Sequence, residues 1–517
     1  MTLITDSSVS KYSAQALVLL FFPGSGFPED ASGGEPVVEL SVSEDGGVLT
    51  GRAEIKEGER RVERFFAPDA ETVGRSDRKR LCNLAVGGAL YLAGTEFCGV
   101  TPPWGILTGV RPAKMCRDML ECGVTAAETE HILCHDYFCT PDKAHLAAET
   151  AVREAAVVSA DEKKNCSVYI AIPFCPTKCS YCSFTSFSSP RLLSLIPDYL
   201  ERLYEDIRNT FAIIKAEGLK VSTVYIGGGT PTVLDEARLE ALLSAVCRSI
   251  DPASLREFTL EAGRPDTITA EKMRIAKDFG VTRVSVNAQT MNGDVLKSIG
   301  RRHTPEDFLR AYGIAAASGI RDINVDLIAG LPGESAESFS ASCDRIISLD
   351  PTNITVHTFY AKRAAEIVKS EKGVYRAKDT TASRAVSVAH ASLLEAGYRP
   401  YYLYKQKNTA GNLENAGFSK VGHEGIYNIL MMEEIHTVFG IGASAMTKFV
   451  SPADGGGKIR RLCETKYPYE YLDPAKNSAE RHYSELSAAC RAFYAAAAGD
   501  KNTNGSFAPK QTGNENI

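Results

Sequence analysis

Apolar runs alternate with helix-length polar stretches through the middle of the chain, from about residue 161 to about residue 375. Alternation of strands and helices at this spacing predicts βαβ units and a parallel sheet. Six such units without a returning antiparallel strand predict an α/β fold built on a partial barrel. The apolar runs are 168–172, 221–226, 257–262, 283–289, 323–328 and 353–360, and the helix-length stretches are 194–216, 236–249, 269–279, 305–318 and 336–348.

The N-terminal region, residues 1–160, has a different pattern. Short strand-like runs separated by Gly-rich or charged turns come first and helix-like segments follow, which predicts an α+β domain. We find no catalytic constellation there, and the segment around Trp104, the only Trp, is interpreted as a packed turn. The strand-like runs are 16–22, 37–42, 48–55 and 60–66, and the helix-like segments are 76–92, 112–120, 125–134 and 141–158.

Residues 376–496 form a third region. A helix-like segment, 380–396, precedes a segment at 401–415 that holds three tyrosines, two lysines and several asparagines. Such a segment could form a wall for a flat, charged ligand, or it could be a plain surface β-edge. The last residues, 497–517, are polar and rich in Asn and Gly, which predicts disorder.

Composition excludes several classes of function. At 517 residues the chain is long enough for two or three domains, and its net charge of −6 gives no general attraction to nucleic acid or to an acidic membrane. It has no run of 18 apolar residues, and its start lacks a basic segment before an apolar core, so we expect neither a membrane span nor a signal peptide. Fourteen cysteines then predict reduced thiols and a cytoplasmic protein.

Three of these cysteines are close together, in a C-x3-C-x2-C arrangement formed by Cys175, Cys179 and Cys182. Thiolates this close can ligate one soft metal centre, and iron–sulfur clusters are commonly held by Cys sulfurs. Three ligands would leave one iron of a four-iron cluster open to another molecule, just as a catalytic zinc keeps one position open.

Two alternatives remain for the triplet. The spacing i, i+4, i+7 also fits three buried thiols on one helix face, and a zinc site is the other possibility. Pro173, Pro176 and the Ser-rich segment 183–190 favour a loop over a helix, and no His lies nearby to complete a zinc site.

Polar or glycine residues follow several of the predicted strands. The run Gly227 to Gly229 comes directly after one strand, and glycine lets the backbone approach a ligand closely and leaves amides free to bond it. Glu261, Gln289 and Asp326 lie at further strand ends, where barrel folds gather their chemistry. Two carboxylates and an amide directed to one cavity suit a ligand with amine and hydroxyl donors.

These motifs resemble a known family. The pattern Tyr-x3-Pro-Phe-Cys-x3-Cys-x-Tyr-Cys, from Tyr169 to Cys182, resembles the signature of radical S-adenosylmethionine enzymes. More narrowly, the chain from about 166 to about 450 is similar to the oxygen-independent coproporphyrinogen III oxidase group and its HemZ branch. The resemblance implies a partial (β/α)6 radical SAM barrel at 161–375, an N-terminal α+β domain, and a C-terminal extension that covers the substrate.

The resemblance also implies the cofactors and the residues that bind them. A [4Fe–4S] cluster would be held by Cys175, Cys179 and Cys182, with S-adenosylmethionine bound beside it. The glycine-rich loop would bind the methionine end of that cofactor, Arg301 its carboxylate and Asp326 its ribose. No catalytic residue is assigned. The implied cofactor contacts are Tyr169, Tyr181, Gly228, Gly229, Thr230, Glu261, Gln289, Arg301 and Asp326.

The implied activity is the oxidative decarboxylation of two propionates of coproporphyrinogen III to vinyl groups, giving protoporphyrinogen IX. A 5′-deoxyadenosyl radical would remove the hydrogens, and an unidentified protein or small molecule would donate one electron. Several cations would bind the substrate carboxylates. The candidates are Arg264, Arg302, Lys362, Arg363, Lys405 and Lys407.

Two positions depart from the oxidase pattern. The decarboxylating enzymes have a fourth Cys where this chain has Phe184, and a His where it has Ala171. Phe at the first of these positions resembles the haem-chaperone branch. The alternatives are therefore a haem chaperone that keeps the cluster without decarboxylating anything, and a radical enzyme that acts on another substrate.

Overall fold

The structure, a computed structural model, has two β-sheets. The smaller sheet has four strands and belongs to the N-terminal region, whereas the larger has eleven strands and carries the rest of the chain. The predicted disordered tail lies outside the described residues from residue 500 onward. The described residues are 1–6, 8–28, 34–68, 78–109, 111–158, 165–182, 184–360, 380–405, 412–451 and 458–499.

Six parallel strands form the centre of the larger sheet and follow one another in chain order. This confirms the prediction of a parallel, partial (β/α)6 barrel. Their outward side chains, such as Val168 and Ile170, are fully buried under the surrounding helices, as expected of parallel strands covered on both faces. The strands are β5 (Asn165–Ile172), β6 (Lys220–Gly228), β7 (Glu257–Glu261), β8 (Arg283–Ser285), β9 (Asp322–Ala329) and β10 (Asn353–Thr358).

Helices connect these strands at the predicted places. The longest of them, Ile196–Ala216, directs Leu203, Ile207, Phe211 and Ile214 to the sheet, an apolar stripe with helical spacing. The helices around the barrel are Pro190–Leu193, Ile196–Ala216, Glu236–Cys247, Ala270–Asp278, Gly293–Ser298, Pro305–Ala317 and Ala336–Ile347.

The C-terminal region extends the barrel sheet at both edges. The antiparallel pair β12 and β11 continues it beyond β10, and β13 joins β5 in parallel, followed by antiparallel β14 and β15. The chain therefore does add antiparallel strands to the six parallel ones. These strands are β11 (Arg399–Lys405), β12 (Glu414–Ser419), β13 (Thr437–Ile441), β14 (Met446–Val450) and β15 (Ile459–Cys463), and the C-terminal helices are Thr380–Glu395, Ile426–Met432, Pro468–Tyr471 and Ala479–Gly499.

One helix covers the N-terminal end of the barrel, opposite the edge where the strands end. The carboxylate of Glu257, at the start of β7, accepts hydrogen bonds from the backbone amides of Ile426 and Tyr427 at 2.9 and 3.2 Å. These are the first residues of the helix Ile426–Met432, so a buried carboxylate satisfies its free amides.

The N-terminal sheet has the order β1-β2-β3-β4 and packs against the long helix Arg78–Cys98. That helix is long and apolar enough to cross a membrane, but 72% of its most apolar window is buried in the protein, as in a core helix. Glycines allow this close packing: a Cβ on Gly88 would lie 2.2 Å from the Phe66 ring. The strands are β1 (Thr2–Thr5), β2 (Val37–Asp45), β3 (Val48–Glu57) and β4 (Arg60–Phe66), and the other helices are Lys11–Val18, Pro112–Glu121, Ala126–His135 and Pro141–Val157.

The prediction of a strand at 16–22 is wrong. Its first half is the end of the helix Lys11–Val18, in which Ala14, Leu17 and Val18 are buried together. Their i, i+3, i+4 spacing defines one helix face, whereas the apolar run read alone, without the preceding polar turn, resembles a strand.

The N-terminal region is bound to the barrel through a buried ionic contact. Glu414 on β12 accepts a hydrogen bond from Nε1 of Trp104 and another from Nζ of Lys143, both at 2.6 Å. Although burial opposes its ionisation, Lys143, His390 and Trp104 lower the pKa of Glu414 to about 2. The segment around Trp104 is therefore a packed contact, as predicted, and its partner is the barrel sheet.

Candidate functional site

The predicted site residues lie at or near the C-terminal ends of the parallel strands. The Cys loop, which we define as residues 173–187, follows β5, and Gly228 to Thr230 follow β6. Glu261 closes β7, and Asp326 lies in β9. Because neighbouring parallel strands end at one edge of the sheet, these residues share one end of the barrel.

The Cys loop folds back on itself. The amide of Cys175 donates to the carbonyl of Phe187 at 3.0 Å, and the amide of Phe187 donates to the carbonyl of Pro173 at 2.9 Å. Cys175 and Cys179 are buried and Cys182 is half-buried, and the three do not lie on a helix. The alternative of three thiols on one helix face is therefore wrong.

Each of the two buried thiols has a polar neighbour. The Sγ of Cys175 lies 3.4 Å from Oγ1 of Thr230, and Nη1 of Arg264 donates to Sγ of Cys179 at 3.5 Å. Burial raises the pKa of the thiols of Cys175 and Cys182, and the charges of the neighbouring cysteines add to this.

The triplet fits an iron–sulfur cluster by the chemistry of its donors. Three thiols come from one loop, and a buried guanidinium is directed at one of them, which would stabilise a thiolate. Cys ligands without an imidazole are the usual donor set of such clusters. Within the described ranges, no three His, Cys, Asp or Glu side chains converge closely enough to bind a single metal ion. A four-iron cluster differs in this respect, because each thiolate binds a different iron.

The glycine-rich loop lies against the Cys loop. The amide of Gly229 donates to the carbonyl of Ile172 and the amide of Thr230 to the carbonyl of Phe174, both at 2.8 Å. The expectation that the glycine amides are free to bond a ligand is therefore wrong for Gly229. The glycines serve close packing instead: a Cβ on Gly229 would lie 2.4 Å from the carbonyl oxygen of Phe174, and Gly228 has a φ of +101°.

Arg301 connects the Cys loop to the loop after β7. Its Nε and Nη2 donate to Oη of Tyr181 at 3.2 and 2.9 Å, and its Nη1 donates to the carbonyl of Gly263 at 2.8 Å. The side chain is buried. A guanidinium has five N–H donors, so this arrangement orients the group and leaves donors for a carboxylate.

Glu261 and Asp326 belong to one chain of hydrogen bonds. Glu261 accepts from Oη of Tyr225 and, at 2.9 Å, from Nδ2 of Asn287, and the Oδ1 of Asn287 accepts from the amide of Asp326 at 3.3 Å. Oδ1 of Asp326 accepts from Nδ2 of Asn324 at 2.7 Å. Burial and the charge of Asp326 raise the pKa of Glu261 to about 7.

His357 also belongs to the site, although no sequence motif indicated it. Its Nε2 lies 3.6 Å from Oδ2 of Asp326, and its Nδ1 lies 3.5 Å from Oη of Tyr404. The predicted strand at 353–360 contained the necessary signal, because side chains alternate along a strand. Thr355 pairs with Asp326 in the sheet, so His357, two residues on, extends from the same face.

Gln289 and Tyr169 are the remaining two of the predicted cofactor contacts. Gln289 has a φ of +65°, and its amide donates to the carbonyl of Asp326 at 2.8 Å. A residue other than glycine in this region is a strained position of the kind found at functional sites. The regular strand ends at Ser285, short of the predicted 289. The ring of Tyr169 stacks on Tyr225 at 6.0 Å inside the barrel.

The cations that were expected to bind a substrate lie in different environments. Lys405 is 4% exposed, and its Nζ donates to the carbonyl of Leu107 at 2.8 Å, so its assignment to the barrel mouth is wrong. Arg264 is buried between Asp266 and the Cys loop, whereas Arg302 is exposed. Three further candidates lie outside the described residues, namely Lys362, Arg363 and Lys407.

The fold and the Cys loop define a radical SAM protein, and residues 169–346 match the Radical SAM superfamily. The cofactors of that superfamily are a [4Fe–4S] cluster and S-adenosylmethionine. The chain is 36% identical over 466 residues to the oxygen-independent coproporphyrinogen-III oxidase-like protein HemZ of Bacillus subtilis, covering 88% of this chain and 91% of that protein. It therefore belongs to the radical SAM family that contains HemZ.

Two further relatives are more distant. The heme chaperone HemW of Bacillus subtilis is 32% identical over 315 residues, which is 59% of this chain and 77% of that protein. Among solved structures, coproporphyrinogen III oxidase (HemN) from Escherichia coli is similar at 21% identity and a TM-score of 0.46, covering 63% of this chain and 78% of that one.

Proposed function

We propose that this protein is an oxygen-independent coproporphyrinogen III oxidase that converts two propionates of coproporphyrinogen III to vinyl groups and yields protoporphyrinogen IX. The observation that carries the proposal is the extent of its similarity to HemZ. That similarity spans 88% of the chain, whereas similarity to HemW of Bacillus subtilis spans 59%. The proposal includes a cytoplasmic location and a one-electron donor that is still to be identified.

Cys175, Cys179 and Cys182 would hold the cluster, and the neighbouring strand ends would hold S-adenosylmethionine. When bound, these groups supply radical chemistry that can remove a hydrogen atom from an unreactive carbon. The protein would supply position: Thr230 and Arg264 contact the thiols, and Arg301 fixes Tyr181 of the same loop.

The carboxylates would bind the donors of the cofactor. Asp326 would accept from ribose hydroxyls, and Glu261 would accept from the amine or a hydroxyl, as their family motifs imply. Gly228, Gly229 and Thr230 would lie beside the methionine end. Since the amides of Gly229 and Thr230 already donate to the carbonyls of Ile172 and Phe174, we expect the glycine-rich loop to act mainly by its shape.

Exclusion of water is a further contribution of the fold. Tyr427, from the helix that covers the N-terminal end of the barrel, stacks on Tyr225 at 4.8 Å and on Tyr169 at 6.5 Å. These rings fill the barrel below the candidate site. A reactive intermediate would thus be shielded from solvent on that side.

Support for a flat substrate comes from β11. The rings of Tyr402 and Tyr404 are stacked at 6.1 Å with an angle of 12° between their planes, and Tyr404 lies beside His357. Aromatic faces of this kind suit a macrocycle. Arg302 is an exposed cation next to Arg301 and is the candidate partner for a propionate.

An anaerobic assay tests the proposal. Purified protein with a reconstituted cluster is incubated with coproporphyrinogen III, S-adenosylmethionine and a reductant, and the products are separated by chromatography. We expect protoporphyrinogen IX together with methionine. Cleavage of S-adenosylmethionine without any porphyrin product would indicate a radical enzyme for another substrate.

A haem chaperone is the second candidate, and Phe184 is the observation that favours it. This residue occupies the place of the fourth Cys of the decarboxylating enzymes and is 70% exposed. Spectroscopic titration with haem distinguishes the two functions. Tight, stoichiometric haem binding without decarboxylation would favour the chaperone, whereas turnover without stable haem binding would favour the oxidase.

A further inference from the structure

We propose that His357 is a positioning residue for S-adenosylmethionine, which acts by holding the Asp326 carboxylate in place as an acceptor. The inference rests on the proposed role of Asp326 as a ribose contact and extends it to a residue outside the signature motifs. It also connects the C-terminal strand pair to the cofactor site, because the second neighbour of His357 is Tyr404 on β11.

The sheet register brings His357 and Asp326 together. Asp326 on β9 pairs with Thr355 on β10, and His357 follows on the same face. Nε2 of His357 lies 3.6 Å from Oδ2 of Asp326, while Nδ2 of Asn324 donates to Oδ1 at 2.7 Å. Thr355 hydrogen-bonds the same carboxylate. An ionised carboxylate has about four lone-pair sites, so these three neighbours leave one for a ligand.

The imidazole ring is fixed from both sides. Its other nitrogen, Nδ1, lies 3.5 Å from Oη of Tyr404, and the Tyr404 ring is in turn stacked on Tyr402. An imidazolium can donate from both nitrogens at once. These two neighbours, together with a hydrogen bond to Asn415, set the plane of the ring, and the ring sets the orientation of Asp326.

Charges around the pair explain why Asp326 needs a partner. The titratable groups that face it are Glu261 on β7, Tyr225 on β6, and Tyr401, Tyr402 and Tyr404 on β11. None of these is a cation, and ionised Asp326 repels Glu261. Without His357, the two carboxylates would compete for one proton.

The pKa directions agree with this geometry. Burial opposes ionisation of Asp326, but hydrogen bonding and charge from His357 lower the pKa of Asp326 below its ordinary value. Burial likewise opposes protonation of His357, yet Asp326 raises the pKa of His357. An ionised carboxylate is a stronger acceptor for hydroxyl donors than a neutral acid, so loss of His357 should weaken ribose binding.

A double-mutant cycle tests whether His357 and Asp326 are coupled in binding S-adenosylmethionine. The dissociation constant of S-adenosylmethionine is measured at pH 7.5 on cluster-reconstituted protein kept oxidised, so that the cofactor is not consumed. His357→Phe should weaken binding about tenfold, a modest share of the attraction between two partly buried charges at this distance. His357→Gln, which keeps a donor, should weaken it less. In the Asp326→Asn background, His357→Phe should change the constant less than twofold.

A pH profile separates this role from a general structural one. In the Glu261→Gln background, affinity should not fall between pH 8 and pH 6 while His357 is present. With His357→Phe added, affinity should fall over that range because Asp326 then takes up a proton. The control is His390→Phe, which removes another buried histidine, 3.7 Å from the carboxylate of Glu414, and should leave cofactor affinity unchanged.

The outcomes distinguish the inference from the function on which it rests. If Asp326→Asn weakens binding but neither His357 variant does, or if the His357→Phe effect persists undiminished in the Asp326→Asn background, His357 is not the positioning residue. If Asp326→Asn itself has no effect on affinity, the proposed ribose contact fails, and the inference fails with it. Should His357→Phe lose the cluster chromophore, His357→Gln replaces it in both the double-mutant cycle and the pH profile, and the same directions of change are expected.

Discussion

Arg264 donates from Nη1 to Sγ of Cys179 across 3.5 Å, although 85 residues separate them in the chain. The same guanidinium donates from Nη2 to Oγ1 of Thr177 at 2.8 Å and forms an ion pair with Asp266. It belongs to the loop after β7, so one strand end supports the Cys loop that follows another. A buried cation at this position would favour the thiolate form that metal binding requires.

The first prediction concerns the cluster. Replacing Cys175, Cys179 and Cys182 together by Ala should abolish the brown chromophore, bound iron and acid-labile sulfide, because these thiols are the proposed ligands. Iron, sulfide and absorbance are measured after anaerobic reconstitution. A matched variant with Cys122, Cys247 and Cys463 replaced by Ala should retain all three signals. Iron and sulfide at wild-type levels in the first variant would refute the assignment.

Arg264→Ala provides the second prediction. The cluster should still assemble, since all three proposed ligands remain, but it should be lost several times faster in the presence of a chelator. The reason is the loss of the hydrogen bonds to Thr177 and Cys179. The half-life of the chromophore is the measurement, with Arg345→Ala on an outer helix as the control. Equal half-lives in the two variants would show that the contact has no role in cluster retention.

Sequence periodicity was sufficient to predict the central strands and the edge of the sheet at which the site lies. Each of the six strands is a local apolar run, and strand-end residues such as Glu261 and Asp326 meet because parallel strands share one direction. The orientation of Lys405 could not be predicted in this way. Which face of β11 is covered depends on the N-terminal region, about 300 residues earlier, and no local pattern records that contact.

The strand pairings at the edges of the sheet could not be predicted from local sequence either. β13 pairs with β5 although some 270 residues lie between them, and this pairing depends on tertiary packing rather than on the local pattern of either strand. The glycine-rich loop was identified because glycine allows close approach of the backbone, and the structure shows such an approach. The partner expected from the sequence was a ligand. In the structure it is the Cys loop, because a Cβ on Gly229 would lie 2.4 Å from the carbonyl oxygen of Phe174.

A third prediction separates cofactor binding from cluster binding. Asp326→Ala and Glu261→Ala should each leave the cluster assembled and weaken S-adenosylmethionine binding roughly 10- to 150-fold, since each removes a hydrogen bond to a charged group worth about 1.5–3 kcal/mol. Equilibrium dialysis of the oxidised, reconstituted protein gives the affinities. Wild-type affinity in both variants would disprove the proposed contacts.

The raised pKa of Glu261 gives the fourth prediction. Because this pKa is about 7, the carboxylate is mostly ionised at pH 8 and mostly protonated at pH 6. If the ionised form accepts from the cofactor, the affinity of the wild-type protein should fall as the pH falls through 7. Glu261→Gln should bind more weakly at pH 8 and should lose most of this dependence. A profile that is the same in both proteins would contradict the role of Glu261.

The final prediction concerns the contact between Glu414 and Lys143, which binds the N-terminal region to the barrel. The folded pKa of Glu414, about 2, is below its ordinary value of 4.5. A depressed carboxyl pKa contributes stability that is present above the unfolded pKa and is lost as the pH falls from about 4.5 towards 2. Glu414→Gln should therefore lower the unfolding temperature at pH 7, because it leaves Lys143 buried without its counter-charge. The difference from wild type should shrink as the pH approaches 3. Glu205→Gln, at an exposed position on the helix Ile196–Ala216, should show neither effect. A constant difference across this range would mean that the ionised form of Glu414 is not what stabilises the contact.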